Sequence, residues 1–145
     1  MSKFLRMVLA VVVGFVLGSV LNMALIMVSG KVIPAPAGAD VTTMEGLKAS
    51  IHLFEAKHFV FPFLAHALGT LVGALVACWV APGKSPAPAY IVGGLFLLGG
   101  IANTVMLPAP AWFVAADLLL AYLPAAGLGV ALAQRIARHT HVHLH

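Results

Sequence analysis

Residues Phe59 to Pro82 read FVFPFLAHALGTLVGALVACWVAP. The run is long enough to cross a bilayer, because about 20 apolar residues at roughly 1.5 Å rise each match a hydrocarbon core about 30 Å thick. Within it Ala65, Gly69, Gly73 and Ala77 recur every fourth residue, a smooth face that another helix can approach closely. His66 sits beside that face, roughly two turns from the start of the run. A histidine at that depth is costly against lipid, so it marks a candidate site.

Outward from this stretch the chain keeps the same character. Of its 145 residues, 62% are hydrophobic and 8% charged, whereas soluble domains carry about 25% charged residues. The composition excludes an ordinary soluble enzyme or binding domain and reads as a single transmembrane domain over 1–145. Three more apolar runs lie at about 4–29, 90–107 and 111–133. The first follows Lys3 and Arg6 as a signal peptide would, but its apolar core exceeds the usual 7–15 residues, so a retained span is expected. In that span Ala10, Gly14, Gly18 and Asn22 repeat the four-residue interval, with Gly14 and Gly18 forming a GxxxG packing face. Such faces serve packing either within the chain or between protomers.

The expected fold is all-α: a four-helix transmembrane bundle with a short amphipathic helix in the long outer loop between spans 1 and 2. Lys3, Arg6, Lys84, Arg135 and Arg138 fall on one side of the spans. Lys31, Lys48 and Lys57 fall on the other, balanced by Asp40, Glu45 and Glu55. This asymmetry places both termini in the cytoplasm and the loop at about 30–58 outside. The net charge of +4 comes with no basic stripe and no stacking platform, so no nucleic-acid partner is expected. Cys78 is the sole cysteine, which rules out an intrachain disulfide.

The loop opens with Ile33-Pro34-Ala35-Pro36-Ala37-Gly38, an extended segment fixed by proline. Thr42 and Glu45 then have capping-box spacing ahead of Met44, Leu47, Ile51 and Phe54, which recur at helical intervals. An amphipathic helix lying on the membrane surface or capping the bundle is the expectation. Further on, Pro124 predicts a kink within the fourth span.

Depth is the most informative inference. Counted from the nearer span ends, Asn22, His66, Asn103 and Asp117 all fall about 6–11 Å below the outer surface at 1.5 Å per residue. Each span thus offers one strongly polar side chain at a similar level, and lipid-facing placement is costly for all four. One inward-facing cluster is the economical arrangement, with Thr70 and Tyr122 as further lining. In the functional reading Asp117 fixes the His66 tautomer and the pair anchors a ligand or relays protons. In the structural reading the four residues hydrogen-bond across helices and hold the spans together. No nucleophile–base motif accompanies them, which argues against an enzyme.

A second constellation, His52-x-x-Glu55-x-x-His58, offers residue types that zinc or copper accept. Histidines at i and i+4 are the commoner zinc spacing, and a solvated interfacial face is the competing reading. The tail histidines, His139, His141, His143 and His145, share one side if the tail is extended, where they could bind a divalent metal; a frayed terminus is the alternative. No haem attachment motif is present, although His66 is of a type that serves as an axial ligand, so the sequence leaves the cofactor open. An internal echo, Gly18-x-x-x-Asn22 against Gly99-x-x-x-Asn103, each followed by a Pro-Ala-Pro-Ala segment, admits a duplicated hairpin.

The segment from Val32-Ile33-Pro34 through Leu47-Lys48-Ala49-Ser50 to Lys57-His58-Phe59 and Phe61-Pro62-Phe63-Leu64-Ala65-His66-Ala67-Leu68-Gly69-Thr70 resembles small four-span bacterial inner-membrane proteins of unknown function. The resemblance covers the middle third of the chain and implies a bacterial inner-membrane location, but no catalytic residues. Together these readings favour a non-enzymatic accessory or oligomeric membrane protein whose outward polar cluster holds a small ligand. Its expected partners are the lipid bilayer and either a second copy of itself or a larger membrane complex. A small proton-coupled transporter is the second reading. A membrane metalloprotein or enzyme using His66 with Glu55 or Asp117 is the third.

Overall fold

The structure is a computed structural model and describes residues 1–143; His145, one of the tail histidines, lies outside the described residues. Helices run over Lys3–Val32 (α1), Met44–Ser50 (α2), Val60–Val80 (α3), Ala87–Met106 (α4), Ala111–Leu120 (α5) and Leu123–Val142 (α6), and the described residues contain no strand. Four segments are long and apolar enough to cross a membrane: Lys3–Val32, Ala56–Val80, Ala87–Met106 and Ala111–Val142.

Local chemistry sets the ends of these helices. The Ser2 hydroxyl accepts from the Leu5 N–H and starts α1. Pro124 at the second position of α6 lacks an N–H, so the last spanning segment breaks at Ala121 and Tyr122, as the proline predicts. The alternating tail histidines are not on an extended strand. His139 and His141 belong to α6, where a spacing of two puts them on different sides.

The loop helix starts later and stops sooner than its periodicity predicts. Thr43, not Thr42, is the cap, its hydroxyl accepting from the Gly46 N–H at 2.9 Å. The Thr42 hydroxyl instead donates to Asp40 Oδ1 at 2.6 Å, and the Thr42 N–H donates to the same oxygen at 3.0 Å. After Ser50 the chain tightens into a 3₁₀ turn over Ile51–Leu53, then extends at Phe54. Ile51 and Phe54 nevertheless find apolar partners. Ile51, Phe59 and Phe113 form a buried cluster with Leu47, Phe54 and Phe63 packed against it.

α3 organises the interior because it carries two small-residue faces. Ala65, Gly69, Gly73 and Ala77 meet α1. A Cβ on Gly18 would stand 2.5 Å from the Gly69 carbonyl oxygen, and one on Gly73 would stand 2.7 Å from that of Gly14. Backbone therefore lies on backbone, and the two glycine faces read from the sequence pack on each other within the chain. Thr70, Ala74 and Cys78 occupy the other face, and Ala74 and Cys78 join Ala89, Ala126, Val130 and Ala133 in a buried core between α3, α4 and α6.

One end of the molecule gathers basic residues. Arg6 Nε donates to the Val80 carbonyl at 2.9 Å, and Lys84 Nζ to that of Trp79 at 2.6 Å while lying 4.0 Å from the centre of the Trp79 ring. Both cations cap the negative end of α3. The opposite end carries the 33–59 segment and its aromatic cluster.

Candidate functional site

The aromatic end holds a half-open cavity of about 740 Å³, lined from α1, α3, α4, α5 and the 33–59 segment. Asn22 contributes from α1, His66 from α3, Asn103 from α4 and Asp117 from α5, with Tyr122 at the α5–α6 break. The four polar residues placed at one depth by counting thus share one cavity. Tyr122 joins them. Thr70 does not: it is fully buried outside the lining, its hydroxyl donating at 2.7 Å to the His66 carbonyl one turn back in its own helix.

Asp117 is the centre of the polar network. Its side chain is 6% exposed and that of His66 19%. His66 Nδ1 lies 2.7 Å from Asp117 Oδ1, and the Tyr122 hydroxyl donates to Oδ2 at 3.0 Å. With both carboxylate oxygens accepting, Nδ1 of His66 carries a proton, which leaves Nε2 as the acceptor whenever the ring is neutral. The His66 and Tyr122 rings stack with centroids 5.8 Å apart, which holds the imidazole plane. Gly100 makes this possible. A Cβ there would stand 2.5 Å from the Tyr122 hydroxyl oxygen and within 2.8 Å of its ring.

Asn22 completes the floor from the other side. It packs over the glycine face of α3, its Cβ 3.0 Å from where a Gly69 Cβ would be. Its Oδ1 is buried, with no hydrogen-bond partner among the described residues. Native proteins rarely leave such an atom unsatisfied, because the desolvation cost is roughly 1–3 kcal/mol.

The walls are what sequence reasoning missed. Met23, Ile26 and Met27 of α1, Phe96 of α4, and Met44, Leu47, Ile51 and Phe54 of the loop make the cavity largely apolar above its polar floor. Part of this was legible, since Ile26 lies one turn from Asn22 and Phe96 two turns from Asn103. The loop contribution was not, because it depends on the chain folding back after Ser50.

His52, Glu55 and His58 are not gathered into a metal centre. The extended Phe54 removes the helical spacing between His52 and Glu55. His58 Nδ1 accepts from the Glu55 N–H at 2.8 Å, and Glu55 Oε2 pairs with Lys57 at 3.6 Å. Among the described residues no three His, Cys, Asp or Glu side chains are placed to hold a metal ion.

The two halves of the Gly-x-x-x-Asn echo also differ in role. Gly18 is pressed against α3 while Gly99 faces open space, although both asparagines line the cavity. No protein-family model, curated protein or solved structure matches the chain.

Proposed function

We propose that this chain is a multi-pass protein of the bacterial inner membrane, a four-helix bundle with both termini cytoplasmic and α2 as an amphipathic cap on the outside. Its function is to bind a small ligand in the outward cavity, without catalysing a reaction, as an accessory or oligomeric membrane component. The observation that carries this reading is the His66–Asp117–Tyr122 network on the floor of a cavity of about 740 Å³. That volume falls in the range of roughly 300–1,000 Å³ typical of small-molecule sites, whose walls are mostly apolar with a few convergent polar groups. A network serving only to hold helices together has no need of the space above it.

Native mass spectrometry of the protein released from its own membrane in mild detergent tests the proposal, wild type beside His66→Ala. A defined extra mass on the wild type, lost from the variant at unchanged oligomeric state, is the expected result. Bare protein in both samples sinks tight ligand binding. A proton-coupled carrier is the second reading, supported by the titratable His66–Asp117 pair; it requires His66→Ala to change flux in proteoliposomes while assembly is preserved. The small-residue core at Ala74, Cys78, Ala126 and Ala133 fills the half below the cavity, which favours a one-sided site over a pathway.

A further inference from the structure

We infer that the cavity takes a membrane-dissolved amphiphile with a neutral, hydrogen-bond-donating head, a hydroxyl on an apolar tail, and that it rejects anionic lipids. The inference rests on the binding reading above and deepens it from three independent features of the floor and walls. First, the floor asks for donors. In its neutral form His66 presents the Nε2 lone pair, because Nδ1 is committed to Asp117. Asn22, which lines the cavity, holds a buried Oδ1 without a partner among the described residues, and a turn of its side chain would bring that oxygen to a donor. Second, the cavity wall includes the Asp117 carboxylate but no lysine or arginine. A phosphate or fatty-acid head there would meet the Asp117 carboxylate with no lysine or arginine beside it, in a setting of low dielectric. Third, Met23, Ile26, Met27 and Phe96 continue from the polar floor as an apolar wall suited to a hydrocarbon tail. A hydroxyl satisfies each requirement: it donates to one acceptor, carries no charge, and leaves its tail on the methionine and phenylalanine side chains.

Three probes with one tail separate the head-group requirement from simple partition. Farnesol donates, farnesyl methyl ether can only accept, and farnesoic acid is anionic at neutral pH. Each is titrated into the full-length protein in mild detergent and followed by native mass spectrometry. Farnesol is expected to bind at least tenfold more tightly than the ether, with the acid weakest. Asn22→Leu, close to asparagine in size, is expected to narrow the gap between alcohol and ether. It should also raise the unfolding midpoint of the ligand-free protein, because it removes the orphaned acceptor. Ether or acid binding as tightly as the alcohol overturns the inference. If that binding still disappears in His66→Ala, the cavity remains a binding site and only the ligand class is wrong. If all three probes bind alike and His66→Ala changes none of them, the binding reading itself fails with it.

Discussion

Asp117 gives each of its oxygens to a different partner, so the two contacts can be tested separately. Tyr122→Phe removes the donor on Oδ2 and leaves a buried oxygen short of a partner. Hydrogen bonds inside membrane proteins average about 0.6 kcal/mol and reach roughly 1.7. A cost near the upper figure is expected, read as a fall of a few degrees in the unfolding midpoint in detergent. Outside the spans, Asp40 gives a pH-dependent signal. The Thr42 hydroxyl, and then its backbone N–H, hold the Asp40 carboxyl below the ordinary aspartate range. A depressed folded pKa means the contact contributes fully above the ordinary aspartate range and is lost as pH falls through the lowered value. The Thr42 amide resonance should therefore titrate with a midpoint below that of an aspartate in an unstructured peptide, measured in the same micelle NMR buffer; a midpoint at or above the peptide's would show that the turn does not form. Asn22, His66, Asn103 and Asp117 were legible as a group because lipid penalises each one, whatever its partners. Thr70 was misplaced for the converse reason: a threonine can satisfy its hydroxyl on its own helix and owes nothing to a shared site.

Among the helices, glycine positions divide into those that touch backbone and those that do not. Gly18→Ala would set a methyl 2.5 Å from the Gly69 carbonyl oxygen, forcing α1 off α3. Overpacking of this kind costs about 1–3 kcal/mol. Gly94→Ala meets nothing within 4 Å and should be neutral or slightly stabilising. Thermal unfolding of the two variants in the same detergent checks the contrast, and equal losses would dissolve the α1–α3 seam. Gly100→Ala belongs to the same scale. It keeps the Tyr122 hydroxyl but denies the ring its seat, so it should reproduce the stability loss of Tyr122→Phe. The seam could be read from four-residue spacing because small residues leave few alternatives to close approach. The loop could not, since periodicity at Ile51 and Phe54 reflects burial in the aromatic cluster and not helical geometry. Competing side-chain bonds from Asp40, Thr42 and Ser50 decide where α2 starts and stops.

At the scale of the whole molecule, one end is basic and the other aromatic. The proposed orientation predicts how a membrane-impermeant maleimide reacts with intact spheroplasts. In a Cys78→Ala background, Lys48→Cys should label at once and Thr140→Cys only after permeabilisation. The reverse pattern would turn the cavity toward the cytoplasm and with it the source of any ligand. The seam between α1 and α3 also bears on how the protein is made. α1 leaves most of its surface to its surroundings, with Ala10, Gly14 and Gly18 as its buried residues. It precedes α3 and lacks that partner until α3 follows; an apolar helix waits in lipid at little cost. Only when the two backbones dock does Asn22 come to rest over Gly69, and Asp117 arrives later still with α5. The cavity floor is therefore a product of synthesis order: no single helix contains it, and it closes only once α5 has followed α1, α3 and α4.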